Sequence, residues 1–282
     1  MCQFCHEHGE GKKWYLQAKN YSDDLLSDTR RRKFIEGMAT SGSEELDKAV
    51  RGMEKLERLP GLIRGLAARL FTRHMKKIHF GQVVPIEEVE QIFGFVNSIT
   101  RVACICRKST LGKEKRYCYG ISLGPNGGEF GRIVAKADKS FAGGPDLRAN
   151  ERLSREEALE AFRQHEKEGL CHTVWTFYTP FIAGICNCDR SDCLAMRSTV
   201  TSSVPVMFRG EWIARIDTDK CTGCRQCMRV CQFGALAYSA GTRKAVVDLR
   251  KCYGCGVCRA VCVPGAVRLE DRRSDPVASR LW

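Results

Sequence analysis

Eight of the 17 cysteines in this 282-residue chain form two runs with identical spacing in its last quarter. Each run reads Cys-x2-Cys-x2-Cys-x3-Cys, and Cys252, which opens the second run, follows Cys221 by 31 positions. Deprotonated thiols are ligands for soft metal ions. Three thiols on one tight loop point toward a common centre, so the two runs predict two thiolate-bound metal centres. The runs are Cys221, Cys224, Cys227 and Cys231, and Cys252, Cys255, Cys258 and Cys262.

The repeat extends beyond the cysteines and defines a small domain. Residues 216–221 return as residues 247–252, and Gly234-Ala235 returns as Gly265-Ala266. Solenoid repeats need about three copies, whereas two copies with eight cysteines indicate a pseudo-symmetric metal domain, which we place at residues 209–272. The spacing is that of bacterial cubane iron–sulfur sites, while a zinc site with four cysteines would show two separated pairs.

This segment resembles the bacterial two-cluster [4Fe-4S] ferredoxins over about 60 residues. The resemblance implies that the fourth cysteine of each run binds the other cluster, because the following helical turn carries it away from its own loop. The family usually has proline directly after that cysteine, but here Gln232 follows Cys231 and Pro264 comes one place late after Cys262. The implied ligand sets are Cys221, Cys224, Cys227 and Cys262 for one cluster, and Cys252, Cys255, Cys258 and Cys231 for the other.

Two Cys-x-Cys pairs lie in the middle of the chain, with further cysteines nearby. Residues two apart in an extended strand face the same side, so each pair is expected to present two sulfurs to one space. Such thiols predict at least one further metal centre, either a cubane cluster or a zinc ion bound by four cysteines. The remaining alternative is that they are small buried core residues. The candidates are Cys104, Cys106, Cys118, Cys186, Cys188 and Cys193, whereas Cys171, alone beside His172, is expected in the core.

The sequences around these pairs resemble a group of anaerobe iron–sulfur proteins that join a ferredoxin module to an N-terminal region marked by C-x-C-R and I-C-N-C. Here the motifs read Cys104-Ile105-Cys106-Arg107 and Ile185-Cys186-Asn187-Cys188. The resemblance implies metal binding and redox work in the cytoplasm.

A last pair of cysteines stands at the start of the chain. Cys2-x2-Cys5-His6 matches the attachment pattern for c-type haem, but we expect no export signal, because the stretch after Arg31-Arg32 is polar and acidic. A metal site that includes His8, or an unliganded terminus, is the better expectation. Without Cys171, the remaining cysteines number eight, so Cys2 and Cys5 are predicted to help complete a fourth cluster unless they stay unliganded.

The helices and strands that should position these residues are predicted from the sequence, and together they indicate the α+β fold class. Residues 1–98 are predicted as a helical region, 99–208 as a mixed α/β cysteine-rich domain, 209–272 as the ferredoxin fold and 273–282 as a frayed tail. One helix should be capped by Ser43 and end before Pro60, a second should span residues 62–80, and a third should follow Pro85. A capping box at residues 154–157 should start another helix that ends at Gly169.

The charge balance, 46 Lys+Arg against 33 Asp+Glu, gives a formal net charge of +13. No apolar stretch approaches the roughly 20 residues of a membrane span, and no aromatic platform for nucleic acid accompanies the charge, so an acidic redox partner protein is favoured. The basic residues of the second helix are Arg64, Arg69, Arg73, His74, Lys76, Lys77 and His79.

The Gly-rich residues 124–131 lack the Lys-Ser/Thr of a phosphate-binding loop, and their sequence favours a turn. A flavin site formed by irregular loops stays open as an alternative.

These features together predict an electron-transfer protein, the ferredoxin-like subunit of a cytoplasmic anaerobic oxidoreductase complex. Two alternatives remain: an iron–sulfur oxidoreductase with its own substrate or flavin site, and a redox-responsive regulator that binds nucleic acid.

Overall fold

The computed structural model describes residues 2–112, 115–136 and 150–281, without the side chains of residues 41–43 and 45. Helices and strands are mixed along the chain, which confirms the α+β class. The α-helices are α1 (Gln3–Glu7), α2 (Thr29–Glu57), α3 (Gly61–Ile78), α4 (Ile86–Phe95), α5 (Ile105–Leu111), α6 (Gly128–Ala135), α7 (Arg155–Lys167), α8 (Leu194–Val200), α9 (Gln226–Arg229) and α10 (Val257–Ala260). The strands are β1 (Gly81–Val83), β2 (Ser98–Val102), β3 (Cys118–Ser122), β4 (Glu151–Leu153), β5 (Cys171–Thr176), β6 (Ile182–Cys188), β7 (Met207–Phe208), β8 (Trp212–Ile216), β9 (Leu236–Ser239), β10 (Lys244–Val247) and β11 (Val267–Asp271).

A seven-stranded sheet in the order β4-β2-β3-β6-β5-β1-β7 forms the centre of the molecule. Its neighbouring strands are antiparallel except for the parallel pair of β1 and β7. The sheet takes β1 from residues 1–98, the region predicted to be helical. No helix in the described ranges is long and apolar enough to cross a membrane.

The two faces of this sheet have different chemistry. One face packs on α4 and α7 through an aromatic core, in which the Phe162 ring lies 5.2 Å from Phe93 and 4.7 Å from Tyr119. Because side chains alternate along a strand, the neighbouring residues of β3, β5 and β6 face the opposite side. Those residues include Cys118, Cys171, Cys186 and Cys188.

The long N-terminal helices partly agree with the sequence prediction. Helix α2 begins at Thr29, where the Asp28 carboxylate accepts a hydrogen bond of 2.8 Å from the Arg30 amide. The prediction that Ser43 caps a helix is wrong, because Ser43 lies inside α2 and no proline interrupts the helix before Pro60. Helix α3 occupies the predicted segment, and α4 follows Pro85 as expected.

The structure confirms the predicted boundaries of helix α7. Both bonds of the capping box form, between the Ser154 side chain and the Glu157 amide and between the Glu157 carboxylate and the Ser154 amide. Beyond its last turn Gly169 has φ +89°, a left-handed conformation that glycine adopts at little cost.

The C-terminal module consists of two interlocked halves. Strand β8, which precedes the first cysteine run, pairs with β11, which follows the second run, and β9 pairs with β10 between them. Each half therefore contributes a strand to a ladder with the other half. Helix α10 packs on α7, and the Arg259 guanidinium lies 2.5 Å from the Glu87 carboxylate of α4, which fixes the module against the central sheet and its helices.

The predicted fraying of residues 273–282 is wrong for the part of the tail that the structure describes. Arg272 is 2 % exposed, and its Nε donates to Oε2 of buried Glu211 at 3.1 Å. The Asp275 carboxylate accepts hydrogen bonds from the amides of Val277 and Ala278 and pairs with Arg215 at 2.9 Å. A buried ion pair and a capped turn therefore hold the tail on the module.

We expect Arg272→Ala to destabilise the chain much more than Arg273→Ala. The first change removes the buried guanidinium that pairs with the Glu211 carboxylate, and loss of one partner of a buried ion pair typically costs about 3–5 kcal/mol. Arg273 instead forms an exposed pair with Asp271, which solvent screens. Anaerobic thermal denaturation should show a lower midpoint for Arg272→Ala and little change for Arg273→Ala. Equal midpoints for the two variants would contradict the buried anchor.

Candidate metal centres

Two cavities in the C-terminal module are each lined by four cysteines, three from one run and the fourth from the other. We call them the first and the second cavity, and their empty volumes are similar, about 350 and 360 Å³. The crossed arrangement follows from the fold, because α9 and α10 carry the last cysteine of each run toward the opposite half. The first cavity is lined by Cys221, Cys224, Cys227 and Cys262, and the second by Cys231, Cys252, Cys255 and Cys258.

Backbone amides point at the sulfurs in both cavities with the 31-residue symmetry of the sequence. The Ala245 amide lies 3.5 Å from Sγ of Cys221, and its counterpart, the Ala214 amide, lies 3.4 Å from Sγ of Cys252. A second related pair joins Ala235 to Cys231 at 3.2 Å and Ala266 to Cys262 at 3.3 Å. Amide donors stabilise thiolate charge and tune the potential of a bound cluster, so the chain fits anionic sulfur ligands.

Two glycines allow the cysteine loops to lie against the adjacent backbone. Gly223 and Gly254 have φ +70° and +72°, and a Cβ on them would meet the carbonyl oxygens of Arg243 and Trp212 at 2.3 and 2.1 Å. Both the left-handed conformation and the close approach require glycine at these positions.

Burial makes these thiols weak acids unless a metal binds them. Loss of solvent raises the pKa of Cys227 and of Cys252 to about 11. Metal coordination supplies the positive charge that removes the proton, so cluster binding releases protons and stabilises the fold. The first cavity reaches the surface through exposed Cys224, whereas Cys255 of the second cavity is partly covered by the central sheet.

Gln232, where the ferredoxins usually have proline, holds the module against the central sheet. Its Nε2 donates to the Gly169 carbonyl at 2.7 Å, and its Oε1 accepts from the Arg190 amide at 2.8 Å. These two bonds join the loop after Cys231 to the end of α7 and to the segment that follows β6. Gln232 therefore makes contacts that a proline could not make.

The central sheet brings the six middle cysteines together on one face, which we call the six-cysteine face (Cys104, Cys106, Cys118, Cys186, Cys188 and Cys193). Cys118 of β3 and Cys186 of β6 are direct partners in the strand register. The thiol of Cys118 interacts with those of both Cys104 and Cys186. Because β3 and β6 are neighbours only in the folded sheet, residues far apart in sequence meet here.

The N-terminal ends of helices α5 and α8 supply the remaining thiols of the six-cysteine face beside those of the strands. Cys193 is the N-cap of α8, and its thiol interacts with those of Cys106 and Cys188, which lowers its pKa well below the usual range. The prediction that both Cys-x-Cys pairs lie on strands is correct for β6 and wrong for the first pair. Cys104 is the N-cap of α5 and Cys106 lies in its first turn, so a helix start directs these two thiols.

A buried arginine accompanies the six-cysteine face. Arg107 is 1 % exposed, pairs with the Asp189 carboxylate and points Nη1 at Sγ of Cys104 at 3.7 Å. Although burial alone would lower it, the charges of Cys188 and Asp189 raise the pKa of Arg107 above its usual value. A buried cation beside thiols stabilises their anionic, metal-binding form. Our sequence reasoning gave Arg107 and Asp189 no role, although both directly follow a Cys-x-Cys pair.

Cys171 connects the six-cysteine face with the second cavity. Its thiol is fully buried and interacts directly with the thiol of Cys255, and Cys188 is its partner in the strand register. Cys171 lies in a buried cluster with Cys188 and Cys193, and Cys231 and Cys255 pack against that cluster. The expected core position is therefore correct, and the core at this point lies between two groups of thiols.

Cys2 and Cys5 lie apart from this face. Gln82 of β1 points Nε2 at Sγ of Cys2, whereas its neighbour Val83 packs in the cluster that contains Cys171. The two N-terminal cysteines thus lie across the sheet from the six-cysteine face and do not complete a site with its thiols. They lie beside Glu211 instead, while His6 is exposed.

The comparisons with known proteins cover the C-terminal module. A family model described as a 4Fe-4S dicluster domain matches residues 213–263. No curated protein and no solved structure gave a match to the chain. The matched segment contains all eight cysteines of the two cavities, whose donors fit the group, so the module binds two [4Fe-4S] clusters. These clusters give the chain an iron–sulfur electron-transfer role.

Crossed ligation predicts which double variants lose one cluster and which lose both. Cys231→Ala combined with Cys252→Ala should lose the same four iron atoms as either single variant, because both residues line the second cavity. Cys231→Ala combined with Cys221→Ala should lose all eight iron atoms of the module. Iron and sulfide analysis of the full-length variants measures this, and the reverse pattern would show that each run binds its own cluster.

Proposed function

We propose that this chain is an electron-relay subunit of a cytoplasmic oxidoreductase complex in anaerobic metabolism, with a third cluster on the six-cysteine face. The C-x-C-R and I-C-N-C resemblance supports the anaerobic setting. A cubane held by four thiolates accepts and releases one electron at a time. The chain's own residues hold such groups at fixed separation and keep water away from them.

The observation that carries the proposal is the continuous buried cluster between the six-cysteine face and the second cavity. Cys255 packs against the buried cluster that contains Cys171, and Cys171 pairs in register with Cys188. The rings of Phe233 and Tyr253 stack in the same cluster, with centroids 4.0 Å apart and planes 2° from parallel. Thiols of both groups therefore share one buried cluster, which supports a short electron path between them.

The opposite end of the module is open to a partner. Cys224 is exposed at the first cavity, and Val263, next to Cys262, is 96 % exposed. The order from inside to outside is therefore the six-cysteine face, the second cavity, the first cavity and the solvent. This order supports a directed relay through the chain more than it supports an isolated storage site.

Helix α3 offers a second docking surface with a distinct character. It carries no acidic residue, and Arg64, Arg69 and Arg73 are exposed. Six of the ten large apolar side chains that the structure shows as exposed lie between Leu59 and Phe71, among them Leu62 at 94 %. An apolar strip bordered by positive charge fits a partner protein with an apolar patch inside an acidic rim.

Lys76, which the sequence placed in the same basic set, is not part of this surface. Its ammonium lies 4.7 Å above the Phe208 ring, and burial lowers its pKa. Met75, one residue earlier, packs against the cluster that contains Cys171. Helix α3 therefore runs from the region of the proposed third centre to the surface.

The intact chain is expected to hold about twelve iron atoms, four more than its two ferredoxin clusters require. Cys118→Ala should reduce the content to about eight, because Cys118 lies between two other thiols of the face. Cys171→Ala is the matched control, a buried cysteine on β5, and should leave the iron content unchanged. Metal analysis and reduced-state electron paramagnetic resonance check both variants.

Two other results would overturn the third cluster. Eight iron atoms in the intact chain, with one zinc ion that Cys118→Ala removes, would identify a zinc site on this face. Eight iron atoms and no metal that responds to Cys118→Ala would return these cysteines to the hydrophobic core.

Docking through α3 is expected to depend on charge and on salt. Arg69→Glu should weaken binding to the acidic redox protein that co-purifies with the chain by roughly tenfold at low ionic strength, and added salt should weaken the unmodified pair. Arg132→Glu makes the same charge change on α6 and should leave the affinity unchanged. Calorimetric titration measures the affinities, with iron content as the control for folding.

The proposed relay function would be wrong if the Arg69→Glu and Arg132→Glu variants bound the partner with equal affinity. It would also be wrong if the isolated chain turned over a small molecule with an artificial electron donor, because the enzyme alternative would then replace it.

A further inference from the structure

The N-terminal cysteines and one glutamate form a compact group that the iron–sulfur sites do not use. Sγ of Cys2, Sγ of Cys5 and a carboxylate oxygen of Glu211 all lie within 4.8 Å of one another. The three residues are 1 %, 0 % and 1 % exposed. Glu211 directly precedes β8, so the group joins the start of the chain to the start of the ferredoxin module.

The atoms of this group are arranged as ligands around one point. The two sulfurs are 3.1 Å apart, and Sγ of Cys5 lies 3.5 Å from Oε1 of Glu211. Oε2 of the same carboxylate faces Arg272 at 3.1 Å, while Oε1 faces the sulfurs and accepts a hydrogen bond of 2.9 Å from the Cys2 amide, so both partners fix the orientation of Glu211. A charged partner behind a carboxylate is the usual support for a metal ligand.

A polar side chain of the central sheet borders this group. Nε2 of Gln82 points at Sγ of Cys2 from 3.8 Å, as a donor to a thiolate does. The phenol of Tyr15 lies nearby, where burial and the charges of Glu88, Glu211 and Cys5 raise its pKa. Gln82 therefore gives the sulfur of Cys2 a polar neighbour inside the core.

The donor atoms decide which kind of ion fits. The Glu211 carboxylate is held by Arg272 and by the Cys2 amide, and buried thiols lose their protons when a metal ion binds them. A divalent cation supplies the positive charge that this step requires. Magnesium and calcium prefer oxygen ligands, whereas zinc takes cysteine sulfur together with glutamate oxygen. The close sulfurs fit a single ion rather than two corners of a cubane.

We propose that Cys2, Cys5 and Glu211 bind one zinc ion that is separate from every iron–sulfur centre. The ion fastens the N-terminal segment to the first strand of the ferredoxin module, next to the tail anchored by Arg272. Three protein ligands leave a fourth position of the ion open. The ion is structural in this role and does not change its charge.

Zinc and iron analysis of the intact chain, purified anaerobically and dialysed against a weak chelator, tests the proposal. The unmodified chain should retain about one zinc ion. Cys5→Ser and Glu211→Gln should each lower zinc occupancy at least tenfold, with iron content unchanged. His6→Ala, an exposed neighbour in the same helix, should keep the zinc. Because the iron clusters are counted in the same samples, failure here is distinguishable from failure of the electron relay.

Every other outcome counts against the zinc site. Retention of zinc in both Cys5→Ser and Glu211→Gln would place the ion elsewhere. Loss of about four iron atoms in Cys5→Ser would assign these cysteines to a fourth cluster. No zinc in the unmodified chain, with Cys2 and Cys5 as free thiols or as a disulfide by mass spectrometry, would show that the group binds no metal.

Discussion

Each of the two cysteine runs contributes its fourth cysteine to the cavity of the other run, and this exchange determines how the module folds and how it meets the central sheet. Because Cys231 lines the second cavity and Cys262 lines the first, neither run alone lines a cavity with four cysteines. The strand pairing of β8 with β11 makes the same demand on the backbone. Metal binding and folding of the module are therefore coupled.

The crossed ligand also determines how the module meets the rest of the chain. The segment that carries Cys231 into the second cavity continues into Gln232, which bonds to the end of α7, and into Phe233, which packs beside Cys171. The second cavity is consequently buried against the central sheet, and the first cavity is left at the surface. The polarity of the proposed relay follows from this one connection.

Local patterns in the sequence predicted the features that depend on local chemistry. The spacing of the eight cysteines, the capping box of Ser154 and Glu157 and the helix after Pro85 need only residues within one or two turns. Long-range features were not predictable in this way. The meeting of Cys118 with Cys186 depends on strand register, and the pairing of Arg272 with Glu211 depends on where the tail returns.

Burial was the hardest property to infer from the sequence. Lys76 belongs to a basic run but lies over an aromatic ring, while Leu62 belongs to an apolar run but is exposed. Helical spacing gives the face on which a residue lies and does not show which face is covered. The six-cysteine face illustrates the same limit. Its members could be named from their spacing, but spacing does not show that two helix starts and two strands bring them together.

Anomalous diffraction at the iron edge, from anaerobically grown crystals of the intact chain, would locate every bound iron atom. We expect three iron sites: one in each cavity of the module, and a third bordered by Cys106, Cys118, Cys186 and Cys193. The third site should be separated from the second cavity by Cys171. Iron density in the two cavities alone, with none on the six-cysteine face, would show that the chain holds no third cluster and that the relay begins at the second cavity.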